Sequence, residues 1–378
     1  MKITNIKSYI FEYPIKNIVV TSFGKMKSRP ALIIEIKNSD NITGFGEIWC
    51  NFPSQSAYYK QNLIHGLFTN YLKDIEFNSP KEFYNKINAK LSIMLSQTGD
   101  QGIFQNIIAG FDIAVWDIFG KKNLKPINKI LNKNANIFVK TYASGINPKN
   151  CLKTVLDCRK KGFDKFKLKI GFDFKSDEKN IQLISANLKK NEELMVDVNQ
   201  GWETTNSEKY LKKINKYSLK WIEEPILASS KIKFWKKNSN ISKNVIACGE
   251  NIRNLDDFIK ILKIKKIKYI QPDICKWGGF SEIVELAIKI KFYKKIYCPH
   301  FLGSGIGLIA SAHLLSSSDK NGFLEVDINP NPLRSEFCKK ELADGNVFKI
   351  SQMPGLGILR IPNAIKKYIK TSESTKIN

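Results

Sequence analysis

Arginine is nearly absent from this chain: five residues (Arg29, Arg159, Arg253, Arg334, Arg360) stand among 61 basic residues in 378. The net charge of +26 is therefore almost wholly lysine. Arginine carries most bidentate contacts to phosphates and base edges, so a nucleic-acid surface built nearly without it is not expected. The lysines are also spread along the chain beside many asparagines and isoleucines, which is compositional drift rather than a polyanion footprint. Cysteine is sparse and scattered. The seven (Cys50, Cys151, Cys158, Cys248, Cys275, Cys298, Cys338) form no C-x-x-C pair, which argues for reduced thiols and against a disulfide framework or a zinc site. Histidine is rarer still, with only His65, His300 and His313. No apolar run approaches the roughly 20 residues of a membrane span, and the start, Met1-Lys2-Ile3-Thr4-Asn5-Ile6, alternates like a strand and lacks a signal peptide's apolar segment. The expectation is a cytoplasmic protein with no membrane or nucleic-acid partner.

What is present is a change of rhythm. Residues 1 to about 48 read as strands and turns, and about 54 to 124 as helices, with Ile103 to Ile118 apolar nearly all round and so buried. From Ile137, strands and helices alternate through Phe323–Val326, the signature of parallel β/α units. Eight such units predict a (β/α)8-type barrel, a modified TIM barrel, behind an N-terminal α+β capping domain. The expected divisions are a cap over 1–130, a barrel over 131–330, and a segment over 331–378 that returns to the cap and ends in a disordered polar tail from Thr371.

Charged residues recur at or near each barrel strand's C-terminal end: Lys169, Asp197, Glu223, Glu250, Asp273, His300 and Glu325. Successive gaps of 23 to 28 residues are about one β/α unit each, so these side chains are predicted to converge on the face where barrel active sites are built. Asp197, Glu223 and Glu250 would set three carboxylates side by side, and their mutual repulsion is relieved by a divalent cation with oxygen ligands, for which Mg²⁺ is suited. Glu224 follows Glu223 directly; spacing selects Glu223 and leaves Glu224 beside the site. Lys167 and Lys169 alternate with Phe166, Leu168 and Ile170, so their ammonium groups lie on one side of a strand and should lower each other's pKa. Asp273, one unit before His300, is placed to fix its tautomer as an acid/base dyad. His313 lies in an apolar helical run and reads as a packing residue. The run Gly303-Ser304-Gly305-Ile306-Gly307 lacks dinucleotide-loop spacing, and is expected to bring backbone close to a substrate carboxylate at a helix N-terminus.

In these elements (Lys167-Leu168-Lys169, Val196-Asp197-Val198-Asn199, Ile222-Glu223-Glu224-Pro225, Gly249-Glu250-Asn251, Gln271-Pro272-Asp273, Pro299-His300, Leu324-Glu325) the chain resembles the enolase superfamily, specifically its mandelate racemase/muconate lactonizing enzyme group. Gly46-Glu47 and Phe111–Asp117 extend the likeness into the cap. The resemblance implies Asp197, Glu223 and Glu250 as ligands of Mg²⁺, and Lys169 and the Asp273–His300 dyad as opposed acid/base groups. It further implies that Lys167 holds a substrate carboxylate and that Glu325 donates a hydrogen bond to an enediolate, with Asn199 near metal or substrate. The shared chemistry would be removal of the proton α to a carboxylate, with a Lys or His base and Mg²⁺. Polar cap residues Ser22, Lys25, Trp49 and Asn51 favour an acid sugar (aldonate or aldarate) and its dehydration. An epimerase or racemase, a lactone cycloisomerase, and, more distantly, a non-catalytic anion- or nucleic-acid-binding barrel are the alternatives. A small-molecule carboxylate as substrate and a homo-oligomer complete the expectation.

Overall fold

The computed structural model describes residues 1–21, 24–339, 341–342 and 345–377. Three antiparallel strands open the chain: β1 (Ile3–Thr21), β2 (Gly24–Asn38) and β3 (Thr43–Ile48). Against this sheet lies the helix Gln101–Lys122, and the fit depends on two glycines of β3. A Cβ on Gly44 would meet Ala114 O at 2.2 Å, and one on Gly46 would meet Gly110 O at 2.1 Å. Only a residue without a side chain permits this approach. The helix is long and apolar enough to cross a membrane by length and composition, contrary to the expectation that no segment is. Here its apolar surface is used internally: 78% of its most apolar window is buried, with one face on the sheet and another on a barrel helix. Trp116 Nε1 donates to Ser281 Oγ at 3.0 Å across that second contact.

The second sheet carries the barrel strands β4 (Phe138–Ile146), β5 (Lys165–Lys169), β6 (Glu193–Asp197), β7 (Ile222–Glu223), β8 (Ile246–Cys248), β9 (Ile267–Ile270), β10 (Ile296–Tyr297) and β11 (Leu324–Asp327). All pair in parallel, in chain order from β4 to β10, with β11 on the other side of β4. The sheet thereby curls toward closure. Cys298, just past β10, brings its thiol to Phe323 O, just before β11, at 3.0 Å. A helix follows each strand, that after β11 being the single turn Pro332–Ser335, and Val347–Lys349 (β12) adds antiparallel to β4. The barrel floor is filled by side chains on or beside β4 and β6 to β10: Tyr142, Met195, Trp221, Ala247, Tyr269 and Cys298. A filled floor leaves only the C-terminal ends of the strands open to a ligand.

The polar tail is ordered, against expectation. Ile369–Lys376 (β13) pairs antiparallel with β1, from Asn5↔Lys376 to Phe11↔Ile369. The unpaired edge of β1 offers a row of backbone donors and acceptors, which outweighs the segment's low hydrophobicity. Thr371 Oγ1 donates to Gln61 Oε1 at 2.7 Å, Thr375 Oγ1 lies 2.8 Å from His65 Nδ1, and Ile377 is buried.

Candidate active site

Register brings the predicted residues together. Lys169 is the Cα partner of Asp197, and Asp197 that of Glu223, so three successive strand ends present them side by side. Lys169, Asp197, Asn199, Glu250, His300 and Glu325 line one pocket, with Trp49 and Asn51 of the cap and the unpredicted Arg29, Lys276 and Asp327. Ser22 lies outside the described residues, as does the side chain of Lys25.

Lys167 sits beneath the pocket as the hub of a buried ion cluster. Its Nζ is 2.6 Å from Glu223 Oε1, 2.8 Å from Glu325 Oε1 and 3.7 Å from Asp197 Oδ2. Burial opposes its charge, but Glu223 and Glu325 hold its pKa well above the usual lysine value. This corrects the expectation of a depressed pKa at Lys167, because its near neighbours are carboxylates rather than Lys169. Lys169 Nζ donates instead to Asn199 Oδ1 at 3.3 Å, and Asn199 Nδ2 reaches both oxygens of Asp197 at 3.0 Å.

His300 bridges two carboxylates: Nδ1 is 2.7 Å from Asp273 Oδ2 and Nε2 is 2.5 Å from Glu250 Oε2. Burial disfavours the imidazolium, yet Glu250 and Glu325 raise its pKa to about 10. Asp273 is fixed in turn by the backbone N–H groups of Cys275 and Lys276, at 2.8 and 3.1 Å to Oδ1. Glu325 accepts from Lys167, from Ser144 Oγ and from the N–H of Phe301. Burial would raise its pKa, but Lys167 and His300 hold it below the usual value. As arranged here Glu325 is an acceptor, and the donor role implied by resemblance would require a proton that Lys167 opposes.

Alternation from the floor residue Trp221 turns Glu223 inward, where its oxygens accept from Lys167, Trp221 Nε1 (3.0 Å) and Gln271 Nε2 (2.7 Å). Burial pushes its pKa up to about 7. Glu224, at φ +38°, turns to the other side. There Asn251 Nδ2 bridges it to Glu250 at 2.8 and 2.9 Å, while Glu224 Oε1 is buried with no partner among the described residues. Burial, then the charge of Glu250, hold Glu224 well above the usual carboxylate range. Among the described residues no three His, Cys, Asp or Glu side chains stand at coordinating separation. The carboxylates are held apart by Lys167, Asn251 and His300. The donor set of Asp197, Glu223 and Glu250 is nonetheless all-oxygen and acidic, which is the chemistry a hard divalent cation satisfies, and the orphaned oxygen of Glu224 lies outside that set.

The glycine run plays a different part from the one expected. The helix Gly305–Ser318 does begin there, but the carboxylate at its N-terminus is the protein's own. Glu47 of β3 accepts from Ser304 N–H (2.5 Å), Ser304 Oγ (2.6 Å) and Gly307 N–H (2.8 Å). A Cβ on Gly303 would stand 2.4 Å from Glu47 Oε1. Asp112 grips the preceding barrel helix, Gly279–Phe292, in the same way, accepting from Ser281 N–H (3.0 Å) and Ser281 Oγ (2.5 Å). Cap loop and barrel also meet where Asn51 Nδ2 donates to Leu302 O at 2.7 Å. Trp49 lies between two ammonium groups, Lys60 Nζ at 5.2 Å and Lys276 Nζ at 5.0 Å from its ring centroid. His313 is buried in its helix as a neutral acceptor from Asn128 N–H, and burial lowers its pKa to about 3.

A parallel barrel with this ring of acids, lysines and one imidazole, closed by a cap, defines a class. Residues 151–359 match the family described as enolase C-terminal domain-like. The chain belongs to the enolase superfamily, in its mandelate racemase/muconate lactonizing enzyme-like group. The solved mandelate racemase/muconate lactonizing enzyme from Bordetella bronchiseptica RB50 superposes with a TM-score of 0.90 at 32% identity, covering 97% of this chain and 99% of that one. The D-galactarolactone cycloisomerase of Agrobacterium fabrum is 25% identical over 95% of this chain and 96% of its own length. The L-talarate/galactarate dehydratase of Salmonella typhimurium is 28% identical over 90% of this chain and 83% of its own.

Proposed function

We propose that the protein removes the proton α to the carboxylate of an acid sugar and dehydrates the resulting enediolate to a 2-keto-3-deoxy acid. The observation that carries this reading is the pairing, in one pocket, of Lys169 with a carboxylate-buttressed imidazole, His300. Lys169 takes the proton from C2. His300, charged and held by Asp273, gives its proton to the departing C3 hydroxyl, so that water leaves and an enol remains. The enol takes a proton at C3 as it becomes the ketone, and the balance is loss of one water. Lys167 supplies a fixed positive charge below the reacting carboxylate. Asp197, Glu223 and Glu250 are the residues that would hold Mg²⁺, with Glu224 beside them. The ion supplies positive charge to the substrate carboxylate as negative charge develops there.

The likeness to acid-sugar dehydratases supports the substrate class, and the likeness to a lactone cycloisomerase sustains a second reading, in which the leaving group is a ring oxygen. Proton NMR of acid sugars in D₂O with protein and Mg²⁺ tests both. Exchange or loss of the C2 proton with a new ketone, abolished by Lys169→Ala and His300→Asn, is expected. Neither exchange nor ketone with any acid sugar overturns the proposal.

A further inference from the structure

A second charged group stands in the wall of the same pocket, apart from the acid/base residues. Arg29 reaches in from β2 of the cap and is 4% exposed. Its NH2 is 3.2 Å from Asp327 Oδ2, at the end of β11. The same oxygen takes Arg334 NH1, also at 3.2 Å. Asp327 Oδ1 is occupied by Asn329, whose Nδ2 donates at 2.7 Å and whose N–H donates at 3.2 Å. Two guanidinium cations thus share one carboxylate, and the cluster keeps one positive charge in excess. Arg334 spends its NH2 on Asn329 O at 2.8 Å. Among the described residues Arg29 does not complete its bonding: NH1 has only the weak acceptor Met26 Sδ at 3.4 Å, and the buried Nε has no partner.

A buried guanidinium with an unused N–H and surplus charge is a costly arrangement unless a ligand completes it. Its natural complement is a carboxylate, a far better acceptor for the NH1 group than the thioether of Met26. We infer that Arg29 is a specificity-determining residue that binds a second carboxylate of the substrate, so that the preferred substrates are aldarates rather than aldonates. This rests on the acid-sugar reading and narrows it. The first carboxylate lies with Lys169 and the barrel acids, and the distal one against Arg29, Asn329 and Met26, which line the same pocket. Asp327 is the positioning residue, since it orients the guanidinium from the barrel side.

The test is a binding measurement that needs no turnover. Mg²⁺-loaded protein is titrated calorimetrically with a panel of aldarates, each paired with the aldonate of the same configuration. The expected result is at least about tenfold tighter binding for the best aldarate than for its aldonate, as one charge-assisted hydrogen bond implies. Arg29→Gln should erase that preference while moving the aldonate by less than about threefold, and Arg29→Lys should retain part of it. A thermal melt identifies a variant that fails to fold, in which case Arg29→Lys decides by itself. Equal binding of the two classes by wild type, no binding by any aldarate, or parallel weakening of both by the substitution overturns the inference. A dicarboxylate preference without any keto product would instead uphold the role of Arg29 and sink the dehydratase reading.

Discussion

Glu47→Gln is the change whose consequences can be worked furthest. Glu47 is buried, and burial outweighs its three hydrogen bonds, raising its pKa to about 7. The unfolded value is near 4.5. A raised carboxyl pKa means that the folded state binds the proton more tightly between these values, so its contribution is greatest below pH 4.5 and is lost as pH rises through 7. Between pH 5.5 and 7.5 the loss is about 2 kcal/mol, at 1.36 kcal/mol per pH unit inside the window. Glutamine keeps the shape but has no proton to release. Its amide NH₂ meets the donors of Ser304 or Gly307, so it should be less stable than wild type at the acid end by about 1–3 kcal/mol. Raising the pH should then shrink that deficit by about 2 kcal/mol. Urea denaturation of both proteins at the two pH values, followed by tryptophan fluorescence, reads the difference directly, and other titrating groups cancel. A deficit that stays constant across the two pH values would refute the burial argument.

His313→Gln should remove a second pH term of the opposite sign. Its folded pKa near 3 lies below the unfolded 6.5, so wild-type stability falls as pH drops through that window, by roughly 1.4 kcal/mol per unit, and the same denaturation series would show a flatter profile in the variant. Added Mg²⁺ should raise the melting temperature of wild type, whereas Asp197→Asn or Glu250→Gln should lose most of that shift; an undiminished shift in both would remove them from the metal site. Truncation after Tyr368 would strip β13 and bare the edge of β1. Lower thermal stability and concentration-dependent aggregation are expected, and an unchanged melt would deny the edge strand its role.

The barrel was legible because two periods coincide along it. Apolar alternation marks each strand, and one charge recurs per β/α unit at the same place in the register, so Lys169, Asp197 and Glu223 could be aligned before their pairing was seen. Arg29 was not legible: it is one cation on a cap strand, with no spacing to tie it to Asp327 some 300 residues later. Its rarity in a lysine-rich chain was the available signal. Glu47 stands in a motif, yet its partner at residues 304–307 is not legible, since nothing local says which carboxylate a helix N-terminus will find. The tail looked too polar to order because its stability comes from the edge of a strand at the opposite end of the chain.

Glu47 and Asp112 address the barrel chiefly through backbone N–H groups at helix starts, joined by one serine hydroxyl at each. Every residue except proline supplies such an N–H. The joint between cap and barrel therefore asks little of the side chains it joins, and can persist while both partners drift in sequence. That makes the cap an exchangeable part. Transplanting the β1–β3 sheet and its helix from a relative should preserve docking wherever these acids and the glycines beneath them are kept, and would import a different Arg29 position, and with it a different choice of substrate.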